Sequence, residues 1–306
     1  MKTKKFKRLY ILATIILTIF AVSCFDDSNE EKDFILKPVT KGVPFRVKCN
    51  DSDNTFNRVE IRGDFSMLNT EVTQELWEQV MTGSLNNTRP SHFDGAAHSL
   101  APVENITFYD AIEFCNRLSD RENRDTVYFM TITTRNGHGS ITAATVTANF
   151  SKDGYRLPTE MEWMWAAMER ADHYIGWEEP FSGATSNSDT RIDAFAWTSK
   201  NANNVTHQVR TKQRNSIDIH DLSGNVAEMC WDGYAAYPAG VVSPGTEPII
   251  SPENQGDAGS TTRVLRGGSY LDGASDCTVS ARKSFSPGIP DKTRGFRFVR
   301  NGLLSH

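Results

Sequence analysis

The side chains best suited to chemistry in this sequence are its five cysteines and seven histidines, and their spacing matches no common catalytic or metal site. The cysteines are Cys24, Cys49, Cys115, Cys230 and Cys277. No two of them form the Cys-x-x-Cys pair of a zinc ribbon or a thioredoxin-type site. The histidines lack the His-Glu-x-x-His pattern, and the chain has no Gly-x-Ser-x-Gly, Walker or Gly-x-Gly-x-x-Gly phrase. Any chemistry must therefore rest on a less common arrangement.

The first cysteine follows a segment that is typical of protein export rather than of a folded domain. A basic stretch precedes the apolar run Leu9–Val22, whose 14 residues fall short of the ~20 that a membrane-spanning helix needs. The run ends in Ala21-Val22-Ser23-Cys24, which resembles the lipobox of bacterial lipoproteins, where the cysteine is acylated and becomes the N-terminus. We therefore predict a lipoprotein signal peptide over residues 1–23, lipidation of Cys24, and an acidic tether and lead-in over residues 24–50.

Composition and charge narrow the class of protein further. Apolar residues make up 38% of the chain and the 21 glycines bring the share to about 45%, an ordinary globular value that excludes fibrous and wholly disordered classes. The formal net charge is -5, and removal of the five cations among residues 1–23 makes it -10. Because so acidic a chain repels phosphate backbones, we expect no nucleic-acid partner. We expect the protein to be a monomer.

The elements that must position any site are few, and their signals are local. Three threonines precede apolar residues at helical spacing and are predicted to cap helices: Thr73, Thr107 and Thr159. Glu162 would complete a capping box in the third helix. Residues 126–133 and 140–147 alternate as strands around a Gly-containing turn, which predicts a hairpin. No long helix is predicted after about residue 170, and so much irregular chain makes a bound structural metal ion worth seeking.

Six ordered phrases resemble the formylglycine-generating enzyme (sulfatase-modifying factor) family. They are Phe65-Ser-Met67 with Thr70-Glu-Val-Thr-Gln74, Pro102-Val103 with Asp110–Leu118, Tyr155–Trp163, Asp221–Glu228, Arg263–Tyr270 and Gly295-Phe-Arg297. The resemblance spans about residues 60–300. It implies one domain over residues 51–306 with an α+β, C-type-lectin-like fold of the formylglycine-generating enzyme type and little regular secondary structure.

The resemblance argues against the family's copper chemistry in this chain. In active members, two cysteines after the Gly-Gly-Ser-aromatic phrase bind copper, and alignment on Gly267–Tyr270 puts Asp272 at the first position and Cys277 at the second. Soft thiolates suit Cu(I), whereas a carboxylate is a poor ligand for it. We therefore expect no copper and no catalytic residue. If the chain is an enzyme, Cys277 is the catalytic candidate, paired with another thiol such as Cys230.

A calcium site is better matched to the family pattern. The phrase Asp221-Leu-Ser-Gly-Asn-Val-Ala-Glu228 corresponds to the segment that wraps a calcium ion in the family. By position, Asp221 and Glu228 would supply carboxylate oxygens, and Gly224 and Val226 would supply backbone carbonyl oxygens. Hard oxygen ligands on an irregular loop suit Ca²⁺. We therefore predict a structural calcium ion here.

The region from about residue 263 to residue 300 is similar to a second branch of the superfamily, the retroelement-diversified variable lipoproteins of spirochaetes. In that branch, a Gly-Gly-Ser-aromatic strand and a Gly-Phe-Arg strand bracket changeable positions on a displayed surface. The bracketed residues here, which we call the displayed segment, are Leu271, Asp272, Gly273, Ser275, Asp276, Thr278, Ala281, Lys283, Ser284 and Phe285. We predict that they bind ligand and that Trp231 and Tyr234 edge the surface.

The leading hypothesis is a non-catalytic, calcium-stabilised lipoprotein of the cell envelope. It would be anchored by lipid, in the outer membrane or at the cell surface, and would bind a protein or glycan ligand through the displayed segment. Two alternatives remain open. One is a copper-dependent formylglycine-generating oxidase or sulfatase-modifying enzyme, and the other is a structural component of an envelope complex.

Overall fold

The computed structural model describes residues 34–40, 45–48, 56–59, 61, 63–168, 180–186, 189–237, 249–250 and 261–302. The predicted signal peptide, the lipidation site Cys24 and the acidic part of the tether lie outside the described residues, as does Cys49. Within the described chain, no helix combines the length and the apolar character needed to cross a membrane.

Short strands outnumber helices along the chain. In order, the elements are β1 (Leu36–Val39), β2 (Phe45–Lys48), β3 (Phe56–Val59), β4 (Phe65–Leu68), α1 (Gln74–Met81), α2 (Phe108–Arg121), β5 (Tyr128–Arg135), β6 (Ile141–Ala148), β7 (Tyr155–Arg156), α3 (Glu160–Met168), α4 (Ile192–Phe195), β8 (Ala227–Gly233), β9 (Ile249–Ile250), β10 (Arg263–Arg266), β11 (Arg282–Phe285), β12 (Arg294–Gly295) and β13 (Val299–Asn301). Short 3₁₀ turns occur at Ala96–His98 and Ala274–Asp276. The mixture of helices and strands confirms the predicted α+β class.

Two four-stranded sheets form the framework. The first has the order β1-β4-β13-β7, and the second has the order β11-β10-β8-β12. In the first sheet, β4 pairs antiparallel with the early strand β1 and with β13 near the end of the chain. In the second sheet, β10 lies between β8 and β11 and pairs antiparallel with both. The sheets therefore join segments that are distant in sequence.

The compact unit begins at Phe34, earlier than the domain start predicted at residue 51. Phe34 packs its ring edge-on against Tyr155 and Phe298, with centroids 5.8 and 5.2 Å apart. Leu36 then pairs with Leu68 as β1 joins the sheet. Part of the predicted lead-in is therefore a strand of the domain. The acidic composition of residues 26–33 directed the sequence interpretation toward a tether and concealed this strand.

All three predicted helix caps are confirmed. Thr73 accepts a hydrogen bond from the Leu76 N–H at the start of α1, and Thr107 forms a capping box with Asp110 in α2. In α3, the Glu162 N–H donates to Thr159 Oγ1 at 3.2 Å, and the Thr159 N–H donates to Glu162 Oε2 at 2.9 Å. These contacts satisfy backbone donors that a helix N-terminus leaves without partners.

The helices bury apolar faces in two clusters. The apolar face of α2, formed by Ala111, Ile112, Cys115 and Leu118, is fully buried with the apolar residues of α1 in the first cluster. Helix α3 is buried over its whole length and centres the second cluster. The predicted hairpin forms from β5 and β6, which pair antiparallel. After residue 170, the only α-helix in the described part of the chain is the four-residue α4, so the expectation of no long helix holds there.

Candidate ligand-binding surface

The displayed segment spans the connection between the neighbouring strands β10 and β11 and continues into β11 itself. The Gly267–Tyr270 phrase leaves β10, the 3₁₀ turn follows, and β11 returns antiparallel so that Arg266 pairs with Arg282. Gly268 has φ +68°, and a Cβ at this position would lie 2.5 Å from Asp276 O and 2.7 Å from Cys277 Sγ. Glycine is therefore required for the backbone to turn this tightly against the segment.

Nine of the ten residues predicted to bind ligand are at least partly exposed. Leu271, Gly273, Ser275 and Ser284 are exposed, and Asp272, Asp276, Thr278, Ala281 and Lys283 are half-buried. Phe285 is the exception, because only 7% of its surface is accessible and it packs in the first core cluster. The Arg294 guanidinium lies 5.0 Å from its ring centroid. The assignment of Phe285 to the binding surface was therefore wrong.

One of the two predicted edge aromatics is also a core residue. Trp231 is 4% exposed and stacks on Tyr128 with centroids 5.0 Å apart. It cannot border a surface. Tyr234 is 36% exposed, and the Arg282 guanidinium lies 4.3 Å from its ring centroid. Tyr234 therefore remains beside the displayed segment, where it contacts Arg282 at the start of β11.

Polar contacts within the segment hold its own charged side chains. Asp272 Oδ2 accepts hydrogen bonds from the Ser269 N–H and Oγ at 2.9 and 2.7 Å. The Lys283 ammonium lies 2.5 Å from Asp272 Oδ1 and 3.2 Å from Asp276 Oδ1. Burial alone would raise the pKa of Asp272, but Lys283 and Ser269 hold it below its usual value. Ion pairs from Asp272 and Asp276 to Lys283 therefore connect the turn after β10 to β11.

A buried arginine supports the far half of the segment from beneath. Arg266 is 1% exposed, and its Nη1 group donates to three successive carbonyl oxygens, those of Val279, Ser280 and Ala281, at 2.9 to 3.2 Å. Its Nε donates to Glu160 Oε1 at 2.9 Å. Because these contacts reach only backbone atoms of the segment, they do not depend on the side chains displayed there.

Glu160 supplies the negative charge that pairs with the buried Arg266. Its carboxylate, with no exposed surface, accepts from Arg266, from Arg282 Nε and Nη2 at 2.6 and 2.9 Å, and from the Tyr237 hydroxyl at 2.9 Å. Burial alone would raise the pKa of Glu160, but Arg266 and Arg282 hold it below its usual value. We call Glu160, Arg266, Arg282 and Tyr237 the support cluster. Sequence analysis missed it, since its members are scattered between α3 and β11.

The predicted calcium segment contains a buried ion pair. Both oxygens of Glu228 accept hydrogen bonds from the Arg297 guanidinium at 2.7 Å, and Oε2 also accepts from Trp163 Nε1 at 2.8 Å. Asp221 lies at φ +60° and accepts from the Arg210 N–H at 2.8 Å. The Gly-Phe-Arg phrase thus joins the Asp221–Glu228 segment through Arg297, which sequence analysis had not connected.

A further carboxyl group, that of Glu71, is buried beside this ion pair. Glu71 is fully buried and accepts from the Val226 N–H at 2.9 Å and from Asn225 Nδ2 at 2.7 Å. Burial raises its pKa, and the charges of Asp221 and Glu228 raise it further. Burial likewise raises the pKa of Asp221 to about 6. Three carboxyl groups therefore lie close enough to one guanidinium to affect one another's pKa, and their oxygens are the hard donors that a divalent cation prefers.

The carboxylates alone do not complete such a site. Among the residues that the structure describes, no three His, Cys, Asp or Glu side chains form a group that could hold a metal ion. A calcium ion would therefore depend on backbone carbonyl groups as well, and Gly224 and Val226 are the predicted donors. Glu228 would have to share its oxygens with Arg297.

The cysteines named for copper chemistry are buried as free thiols. Cys230 and Cys277 have no exposed surface. Burial raises the pKa of Cys277 to about 12 and that of Cys230 well above its usual value. A copper site with two sulfur ligands needs both as thiolates. A copper site at these positions would therefore require both buried thiols to lose their protons as the metal binds.

Comparisons with known proteins agree with this architecture. The family model of the sulfatase-modifying factor enzyme 1-like domain matches residues 29–302. Chaperone protein LppX of Paenibacillus barcinonensis is 29% identical over 317 residues, which cover 96% of this chain and 98% of that protein. The formylglycine-generating enzyme of Streptomyces coelicolor is 32% identical over 176 residues, 55% of this chain and 53% of the enzyme.

Solved structures show the same similarity. Treponema denticola variable protein 1 superposes with a TM-score of 0.71 at 30% sequence identity, over 88% of this chain and 95% of that chain. PvdO from Pseudomonas aeruginosa, with a TM-score of 0.61 at 14% identity over 87% of this chain and 94% of its own, shows the fold alone. Sequence and structure together show that the chain belongs to the formylglycine-generating enzyme (sulfatase-modifying factor) family.

Proposed function

We propose that this protein is a non-catalytic, lipid-anchored envelope protein that binds a protein or glycan ligand through the displayed segment without Phe285. One observation carries the proposal: nine residues of the displayed segment are exposed or half-buried, and Arg266 holds the backbone of the segment at Val279, Ser280 and Ala281. Such a loop on a rigid frame is the usual arrangement of a grafted binding surface. Lipidation of Cys24 would anchor the protein at the outer membrane or cell surface.

The proposal includes diversification of the displayed segment, that is, variation of its exposed residues between copies of the gene in a population. The similar structure from Treponema denticola is named a variable protein, and we extend that property to this chain. A surface whose backbone is fixed by Arg266 tolerates new side chains at exposed positions, whereas Phe285 and Cys277 would have to stay constant because they are buried.

Sequencing of the DNA that encodes residues 263–300 across a population tests this proposal. We expect substitutions confined to adenine-templated codons between Tyr270 and Gly295, sparing Phe285 and Cys277. We also expect a near-copy of the region beside the gene and a reverse transcriptase. A uniform region without a neighbouring copy would contradict diversification, and a structural component of an envelope complex would then become the leading function.

Calcium binding near Asp221 is a second, separate part of the proposal. Addition of Ca²⁺ to chelated protein is expected to raise the melting temperature, because the ion would offset the repulsion among Glu71, Asp221 and Glu228. The shift should disappear in Asp221→Asn, which keeps the side-chain shape but removes a charge. Asp94→Asn, at a half-exposed carboxylate paired with Arg89, serves as the matched control. An unchanged melting temperature in the parent protein would contradict the site.

A further inference from the structure

A cleft with a cavity of about 380 Å³ lies between helix α1 and residues 88–99, which we call the 88–99 connection. Helix α1 contributes Gln74, Glu75, Trp77 and Glu78 to the lining, and the 88–99 connection contributes the rest. The volume falls within the range of about 300–1,000 Å³ that is usual for small-molecule sites. None of the lining residues belongs to the displayed segment, to the support cluster or to the Asp221–Glu228 segment. The cleft is therefore a candidate for a separate binding site.

Hydrogen bonds hold the two walls of this cleft in place. The Glu75 N–H donates to the Ser99 carbonyl oxygen at 2.9 Å, and the Trp77 indole N–H donates to the Asn87 carbonyl oxygen at 3.1 Å. These two bonds join α1 to the far end of the 88–99 connection and to the residue just before it. Because the bond between Glu75 and Ser99 uses only backbone atoms, it leaves both side chains available to a ligand. A ligand therefore meets walls that are already ordered, which lowers the cost of binding.

The two walls offer different hydrogen-bonding groups. On the α1 wall, the exposed side chains of Glu75 and Glu78 lie three residues apart and hence on one side of the helix. Their carboxylates only accept hydrogen bonds. On the opposite wall, the guanidinium of Arg89 only donates, whereas three hydroxyl side chains can do both. The hydroxyl residues are Thr88, Ser91 and Ser99. A ligand that fills the cleft must therefore both donate and accept hydrogen bonds.

Charge and polarity exclude several classes of ligand. Arg89 already pairs with Asp94 at 2.7 Å, so the two glutamates leave the lining negative and disfavour carboxylates and phosphates. A cation would suit the glutamates but would bring a second positive charge next to Arg89. Trp77 has no exposed surface and Pro90 is buried, so the lining offers little contact to an apolar ligand. A neutral polar ligand fits best.

We propose that the cleft binds a neutral sugar unit of a glycan. Adjacent hydroxyl groups of a sugar each donate and accept, so one face of the ring can satisfy the carboxylates while the other meets Arg89 and the hydroxyl side chains. Phe93, in the 88–99 connection, contacts Tyr270 with ring centroids 5.6 Å apart, and Tyr270 directly precedes the displayed segment. The inference goes beyond the proposed function, because it assigns a second site whose residues all lie outside that segment.

The test uses the whole ¹⁵N-labelled chain in micelles of a detergent that has no sugar headgroup. The probes are the methyl glycosides of glucose, galactose, mannose and N-acetylglucosamine, each added alone, and the reporters are the Trp77 indole N–H and the backbone amides of residues 88–91. We expect at least one glycoside to cause a saturable shift of these resonances, and Nα-acetyl-lysine methylamide to cause none. No response to any glycoside, or a saturable response to the lysine probe, would overturn the proposal.

Two neighbouring residues of α1 supply a variant and its matched control. Glu78→Ala removes an acceptor of the cleft, so the affinity for the responding glycoside should fall by about tenfold or more. Gln79→Ala changes an exposed side chain of the same helix that does not line the cleft, and it should bind as the parent does. Both positions are exposed, so both variants should fold, which thermal melting verifies. Equal affinities in the two variants would contradict the site.

This result is distinguishable from a failure of the proposed function. Neither the reporters nor the variants lie in the displayed segment, so the glycoside assay gives the same answer whether or not that segment varies in a population. Leu271→Ala, in the displayed segment, should leave the glycoside affinity unchanged. A loss of glycoside binding in Leu271→Ala would show that the sugar binds to the displayed segment and would overturn the assignment to the cleft.

Discussion

The Phe285→Ala variant is expected to lose about 3–5 kcal/mol of unfolding free energy, the range for removal of a buried aromatic side chain. Phe285 packs beside Phe108, with ring centroids 6.4 Å apart, and beneath the guanidinium of Arg294. The cavity would form where β11 joins the first core cluster. Urea denaturation followed by circular dichroism measures the change.

Leu271→Ala is the matched control, because Leu271 also belongs to the displayed segment but is 40% exposed. Its unfolding free energy should change by no more than about 0.5 kcal/mol, as is usual for surface substitutions. If instead Phe285→Ala were as stable as Leu271→Ala, Phe285 would have to lie outside the core. In that case, a loss of ligand binding in Phe285→Ala would indicate a lost contact with the ligand. The structure instead predicts that such a loss would result from unfolding of the variant.

Glu160→Gln is the second substitution with a large expected effect, a loss of about 3–5 kcal/mol. The amide keeps the size of the side chain but leaves the buried Arg266 and the largely buried Arg282 without a countercharge. Because the pKa of Glu160 is lowered in the folded state, its contribution is complete at neutral pH and is lost as the pH falls through that lowered value. The variant should therefore also show a weaker acid dependence of stability.

The surface ion pair of the displayed segment is the control for this prediction. Lys283→Met removes the partner of Asp272, but the lysine side chain is 40% exposed, so the expected loss is about 0–1 kcal/mol. The double variant Glu160→Gln/Arg266→Met should be less destabilised than the sum of its single variants, since each substitution removes a partner of the other. Strict additivity would show that Glu160 and Arg266 do not interact in solution.

Local signals in the sequence predicted the helices well, because caps and apolar spacing act within a few residues. Thr107 and Asp110 illustrate this, since a capping box requires only residues three apart. The strands near the displayed segment were harder to interpret. In β11, Arg282 is half-buried and Phe285 is buried, and sequence alone does not show which side chains of a short strand face the core.

The support cluster depended on contacts that no local pattern encodes. Glu160 and Arg266 are 106 positions apart, and an arginine in a short strand would ordinarily be predicted to face solvent. The same holds for Glu228 and Arg297, which are 69 positions apart. The family resemblance marked all four phrases as related, but only the three-dimensional structure showed which charges they bring together.

The position of β13 in the first sheet has a consequence for the order of folding. β13 inserts between β4 and β7, Ser66 Oγ donates to Gly302 O across 236 positions, and Arg297 reaches Glu228 from the adjoining segment. The first sheet therefore cannot close until residues 299–301 are free to pair with β4 and β7. Such long-range pairing slows folding and leaves strand edges open to aggregation. We therefore expect that truncation of the chain before Arg297, which removes both β13 and the partner of Glu228, leaves the whole domain unfolded.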